Sequence, residues 1–174
     1  MRIRKASADD LPAIEEVMRA SLGALSAGFY DPENVPSAVR YIAIPDRQLI
    51  DDGTYYVVVD DEDRIVACGG WSRRKKLFTG TSDQEAAAGD VDPQHDPARI
   101  RAMFVHADYA RRGLGRLILD TSESHARELG FTRFELMATL PGVPLYEACG
   151  YVRVETATLE LPDGTKLGGV RMVK

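Results

Sequence analysis

The chain has 174 residues, 44% of them hydrophobic and 28% charged, and a net charge of −5. This suits one domain over residues 1–174 with a sizeable core, is too little for two, and excludes a disordered chain; the negative balance argues against nucleic acid as a general partner, since phosphates call for a positive field. No apolar run approaches the ~20 residues of a membrane span, and the opening "MRIRKASADDL" has no apolar secretory core, so a cytoplasmic protein with no membrane partner is expected.

"MRIRKA" reads as a first strand. In "SADDLPAIEEVMRASLGAL", Ser7 with Asp10 three residues on forms a capping pattern, and Pro12 suits a first turn. Leu11, Ile14, Val17, Met18, Leu22 and Leu25 then recur at helical spacing. A shorter helix is expected over Pro36 to Ala43, ending before Pro45. "TYYVVVD" (54–60) and "IVACGGWS" (65–72), joined by "DEDR", read as a hairpin. Residues 73 to about 97 are rich in Gly, Ala, Asp and Pro and carry no period, which predicts a long mobile loop outside the core. Cys68 and Cys149 match no metal spacing; they are expected as reduced thiols in or near the core, and no metal is implied.

"ARIRAMFVHA" (98–107) is the next strand, with Arg99, Arg101 and Met103 alternating with Ile100, Ala102 and Phe104. A helix follows from Gly113 to Leu129, stopped by Gly130, and then a strand, "TRFELMA" (132–138). Strand, helix and strand make a βαβ unit, so the two strands run parallel. "PGVPLYEACG" (141–150) is a turn entering a short helix. "YVRVETATLEL" and "KLGGVRMV" close the chain as a hairpin about an Asp-Gly step.

"ARRGLGR" (110–116) joins a strand to a helix start. Gly113 and Gly115 lack Cβ atoms and admit close approach. The first helix amides have no internal partners, and the helix dipole adds positive charge to that of Arg111, Arg112 and Arg116. Such a turn can hold a phosphate; an ordinary glycine turn with a solvated basic cluster fits the local composition equally well. A P-loop needs Lys and then Ser or Thr after its last glycine, where Arg116 and Leu117 stand. A dinucleotide loop needs a third small residue where Ile118 stands.

"VHADYARRGLGRLIL" resembles the acetyl-CoA-binding motif of the GNAT superfamily of N-acetyltransferases, Gln/Arg-x-x-Gly-x-Gly/Ala after a strand ending in Val. Gly113 and Gly115 match; the leading Gln/Arg position falls on Ala110. "PLYEACGY" (144–151) resembles the superfamily's Leu-Tyr-x-x-x-Gly-Phe/Tyr motif through Leu145, Tyr146, Gly150 and Tyr151. The order of elements along the whole chain fits as well.

The resemblance implies an α/β fold: a mixed, mostly antiparallel central sheet, helices on both faces, and a parallel strand pair (about 98–106 and 132–138) splayed around the cofactor. It implies acetyl-CoA as co-substrate, no metal, an amine of a small molecule or peptide as acceptor, and a homodimer. Met103, Phe104 and Val105 would pair with the pantetheine arm. The amides of Arg111, Arg112, Gly113, Leu114, Gly115 and Arg116 would hold the pyrophosphate. Tyr146 falls at the general-acid position; an aromatic anchor for the short helix is its structural alternative.

Acyl transfer to an amine requires a deprotonated nucleophile, a stabilised oxyanion and a protonated leaving thiolate. A backbone N–H near Val105 is a candidate for the second demand. For the base, a water chain ranks ahead of His95, Asp96, His106 and Glu135; many members of the superfamily carry a glutamate where this strand reads Arg99, Ile100, Arg101. Thr139 stands where the superfamily often has asparagine. His125 reads as surface or packing. Trp71, Tyr30 and Tyr41 are candidate walls of the acceptor pocket or plain packing, and Asp83, Glu85, Asp90, Asp92 and Asp96 either draw a cationic amine or keep a loop soluble. "SRRKK" (72–76) either attracts an acidic group or is a solvated strand end, the second being preferred. A non-catalytic CoA-binding module on the same fold is the competing function.

Overall fold

The computed structural model describes every residue except Ala86 and Ala88, and the side chains of Ser82 and Glu85 also lie outside the description. Seven strands form one sheet: β1 (Arg2–Lys5), β2 (Tyr55–Val59), β3 (Ile65–Ser72), β4 (Ala98–Val105), β5 (Phe134–Thr139), β6 (Val152–Glu160) and β7 (Lys166–Val173). Their order is β1-β2-β3-β4-β5-β7-β6. All neighbours are antiparallel except β4 and β5, the pair that the βαβ argument makes parallel.

The helices cover both faces because the central strands are apolar on both. On β2, Tyr55 and Val57 pack with Ile14, Val17, Met18 and Leu22 of α1 (Leu11–Leu25). Val58 turns the other way, towards Leu114 and Ile118 of α5 (Leu114–Glu128). A run of five buried residues is what a strand covered on both faces requires. The capping pattern at Ser7 is realised: its amide donates to Asp10 Oδ2 at 2.7 Å, and a 3-10 turn over Ala8–Asp10 leads into α1. Short helices α2 (Val35–Ile42) and α3 (Arg47–Asp51) follow. The sequence reading misses α3, which has five residues and shows no period; Asp46 caps it by accepting from Gln48 N at 3.0 Å.

The alternation expected along β4 breaks at Ala102, whose φ is +52°. The register with β3 slips there, between Cys68 and Gly70. As a result Ile100 and Met103, three apart, both join the cluster on the α5 face, while Ala102 and Phe104 join the α1 face. Such a bulge re-aims side chains along a strand.

The segment 73–97 also differs from a plain loop. It forms a four-residue helix, α4 (Ser82–Glu85). Lys75 N donates to Gly89 O at 2.9 Å and Arg74 bridges Asp90. Val91, 5% exposed, belongs to the core, because one apolar residue anchors the end of an otherwise polar excursion. Cys68 and Cys149 are both buried free thiols, and burial pushes the Cys68 thiol up to about 12. Among the described residues no helix is long and apolar enough to cross a membrane.

Candidate active site

β4 and β5 pair at only two positions, Ala98 with Phe134 and Arg99 with Glu135. Beyond them the strands diverge, and β5 keeps its other edge on β7 as far as Thr139 and Gly169. From Ile100 to Val105, β4 is paired on its β3 side and has no strand on the other. Unpaired main-chain groups along a strand are a template for an extended, amide-bearing partner.

α5 starts beside this gap. Gly113 caps it with φ +79°, and Arg111 is left-handed too at φ +62°. Left-handed residues in a turn can aim neighbouring amides inward and make a concave anion site. The first amide bonded within the helix is that of Leu117, to Gly113 O at 3.0 Å, so those of Leu114, Gly115 and Arg116 precede the ladder. A Cβ at Gly113 would meet no atom within 4 Å. At Gly115 it would sit 2.8 Å from Leu145 Cδ2. Gly115 therefore lets α5 approach α6 (Val143–Ala148), a packing role that the sequence reading does not separate from phosphate approach.

Met103, Phe104, Val105, Arg111, Gly113, Leu114, Gly115, Arg116 and Tyr146 all line one cleft of about 510 Å³. The arginine side chains divide. Arg112 lies outside this lining, with its guanidinium 5.0 Å from the Tyr109 ring centre and donating to Asp108 O at 3.1 Å. Arg116 donates to Ala148 O at 2.9 Å, at the end of α6. The far wall comes from the end of α1 and the turn after it, where Ser21, Leu22, Leu25, Ser26 and Phe29 line the cleft. Ser26 is buried and its Oγ has no hydrogen-bond partner. Sequence reasoning expects the first helices to help build the acceptor pocket but names none of these residues, because those that continue the apolar stripe of α1 serve core and cleft alike.

Tyr146, 7% exposed, stands where this cleft meets a second cavity of about 80 Å³. Met103, Phe104 and Thr139 also line both. Burial pushes the Tyr146 phenol well above its ordinary value. The smaller cavity includes Phe78, Thr79, Ile100 and Arg101 in its walls. Among the described residues neither cavity has an Asp, Glu or His in its lining. Glu135 is held by Arg171 at 2.7 Å and by Arg99. His95 pairs with Asp92 at 2.7 Å in an exposed turn, where Asp96 accepts from the Asp92 amide. His106 caps a turn.

The other sequence candidates also have settled places. Trp71 is fully buried between His125 and Phe131, and its Nε1 donates to His125 Nδ1 at 3.2 Å. His125 is thus a packing residue; burial lowers its pKa. Tyr30 OH donates to Gly168 O at 2.7 Å and accepts from Leu140 N, and Tyr41 packs on the cluster around Leu159 and Leu167. Asp90 is near Arg73 and Arg74, and Arg74 is chelated by Asp52 at 2.7 Å, so the "SRRKK" stretch is an ion-paired strand end. Among the described residues no group of three or more His, Cys, Asp or Glu gathers in a metal-holding arrangement.

Comparison with solved structures finds the same architecture. A GCN5-related N-acetyltransferase from Rhodopseudomonas palustris superposes with a TM-score of 0.74 at 19% identity, covering 99% of this chain and 94% of that one. The PaiA N-acetyltransferase from Thermoplasma acidophilum, solved with coenzyme A, gives 0.65 at 16% identity over 99% and 97% of the two chains. The ribosomal-protein-alanine N-acetyltransferase from Brucella melitensis gives 0.64 at 17% identity over 100% and 99%. No curated protein sequence matches the chain significantly. The family model for the Acetyltransferase (GNAT) family matches residues 19–151. That match runs from the second half of α1 to the end of the "PLYEACGY" motif, and the chain belongs to the GNAT family of N-acetyltransferases.

Proposed function

We propose that the protein transfers an acetyl group from acetyl-CoA to an amine of a small molecule or peptide by direct attack. The observation that carries this reading is the cleft in which the unpaired edge of β4, the free amides at the start of α5 and the Tyr146 phenol converge. The residues fit the group. The left-handed turn at Arg111–Gly113 offers a concave set of amides for a diphosphate, open where a Cβ would stand. Met103 to Val105 offer main-chain groups to the pantetheine amides, and Ser26 Oγ is a polar group without a protein partner.

In the reaction the amine nitrogen bonds to the acetyl carbon, the carbon–sulfur bond breaks, and the ammonium proton leaves. With no carboxylate or imidazole in either lining among the described residues, water is the route for that proton. Tyr146 acts as proton donor to the departing sulfur. Its raised pKa keeps it protonated at all working pH. Complete transfer to a thiolate, whose conjugate acid lies near ~8.5, is uphill for such a phenol. Its contribution is therefore a hydrogen bond that strengthens as charge builds on sulfur.

The test combines calorimetry and turnover. Wild-type protein is expected to bind CoA and to release free thiol from acetyl-CoA with some member of an amine panel. Gly113→Glu places a carboxylate in the anion turn and should weaken CoA binding at least ~10-fold, the scale set by losing about 1.4 kcal/mol. CoA binding without amine-dependent thiol release would favour the non-catalytic module, and equal CoA affinity in the variant would put the site elsewhere.

A further inference from the structure

The smaller cavity beside Tyr146 holds a charged group that the acetyl transfer just described does not use. Arg101 is 4% exposed and forms part of its wall. Both of its hydrogen bonds leave from Nη2, to Asp46 Oδ2 at 2.7 Å and to Thr79 Oγ1 at 3.1 Å. Its Nε is buried with no partner at all. Unpartnered buried donors are uncommon and costly, more so on a charged group.

A purely structural task explains this arginine poorly. Asp46 already caps α3 through Gln48 N, and Lys76 Nζ lies 3.7 Å from the same carboxylate oxygen that Arg101 binds. Arg101 thus shares its one anionic partner, and its Nε stays unmet. Thr79 accepts from Arg101, so its own hydroxyl proton is left to donate. No carboxylate lines the cavity among the described residues. A cationic acceptor would find no counter-charge there, whereas an anionic group would find a guanidinium and a hydroxyl.

We propose that the acceptor carries a carboxylate within a few bonds of its amine, and that Arg101 and Thr79 bind this carboxylate while the amine faces the thioester beside Tyr146. The inference rests on the transferase reading above and narrows it. A cavity of about 80 Å³ takes only a small head group. It favours a free amino acid over a peptide N-terminus, because the carbonyl next to a peptide's terminal amine is a neutral amide. Such an amide brings no anion to the guanidinium's unpartnered Nε, and sites built for a charged or hydrogen-bonding group reject analogues that lack it.

The experiment measures thiol release from acetyl-CoA with matched acceptors: free amino acids including β-alanine, their primary amides, their decarboxylated amines, and short peptides with free N-termini. CoA affinity is measured in parallel. For the best acceptor the expected kcat/KM ratio of acid to amide is at least ~10-fold in the wild type. In Arg101→Gln the ratio should fall towards one, mainly through KM, with CoA affinity unchanged; Arg101→Lys should restore part of it. Should Arg101→Gln fail to fold, Thr79→Val, which removes only the hydroxyl, decides the matter by lowering the same ratio. Equal turnover of acid and amide by the wild type overturns the proposal while leaving the transferase intact. So does an undiminished ratio in a folded Arg101→Gln or, failing that, in Thr79→Val, and so does CoA binding with no transfer to any amino acid. Absence of CoA binding overturns the transferase reading itself.

Discussion

Tyr146 is held by a relay of packed polar residues. Its ring meets that of Tyr151 edge-on, with centroids 5.8 Å apart. Tyr151 OH donates to Glu123 Oε1 at 2.9 Å, and Glu123, buried on α5, is also held by Lys174 at 2.8 Å. The ring is thus packed on one side by an anchored Tyr151, and the residue lines the cleft. Tyr146→Phe keeps the ring contacts. It should lower kcat ~10²–10³-fold, the scale for losing one hydrogen-bond donor to a charge that develops in the transition state, while leaving CoA affinity within a small factor and thermal unfolding nearly unmoved. Stopped-flow thiol release under single-turnover conditions, alongside a melting curve, checks this. A fall in kcat together with a large drop in melting temperature would make the tyrosine structural.

Among the elements, the segment 73–97 divides into a fastened base and a tip. The base is the short ladder of residues 73–75 against 89–91, where Val91 N donates to Arg73 O at 2.6 Å, and it delivers Val91 to the core. The tip includes α4, tied by Leu77 N to Gln84 Oε1 at 2.8 Å. Phe78 and Thr79, just before the tip, line the smaller cavity. Replacing residues 83–88 with a short Gly-Ser link should leave cooperative unfolding and CoA affinity near wild type and shift KM for the acceptor. Extending the cut through Val91 should cost a further ~1–3 kcal/mol, the scale of losing one buried aliphatic side chain. Urea unfolding of the two deletions separates base from tip. An equal loss of stability in both would place the tip in the core as well.

For the molecule as a whole, acid sensitivity follows from paired carboxylates. Arg4 donates to both oxygens of Asp10 at 2.7 and 2.8 Å and, against the opposing effect of burial, lowers its pKa to about 2. Hydrogen bonds from Arg74 lower Asp52 in the same way. In the unfolded chain an aspartate titrates near ~3.9, so as the pH falls the unfolded state takes up the proton first. The stabilisation is complete above about pH 5 and is lost progressively as the pH drops towards 2. Urea midpoints measured from pH 7 to pH 2.5 should fall mainly below about pH 4. Arg4→Met should flatten that limb while changing the neutral-pH midpoint by less than ~1 kcal/mol, since Arg4 is partly exposed and solvent screens the pair. An unchanged slope in the variant would remove Asp10 from the acid limb.

The local chain determined what depends on short-range rules. The stripe from Leu11 to Leu25, the turn-flanked β-branched runs of the hairpins and the glycine-capped helix after Ala110 each satisfy periodicity, turn or capping rules within a few residues, so they are legible without neighbours. The same holds for Gly113 and for Tyr146, which sit in motifs of near-contiguous spacing. Tertiary structure decided the rest. The bulge at Ala102, where the register with β3 slips between Cys68 and Gly70, puts Ile100 and Met103, three residues apart, on one face. Arg112 and Arg116 look equivalent in the sequence, yet Tyr109 and the end of α6 claim their guanidinium groups. Arg101 reads as one more strand arginine until α3 and the segment at Thr79 close over it. A buried charge acquires its meaning from partners about 20 and 55 residues away in the chain, and those partners meet only when desolvation forces every buried polar group to find one.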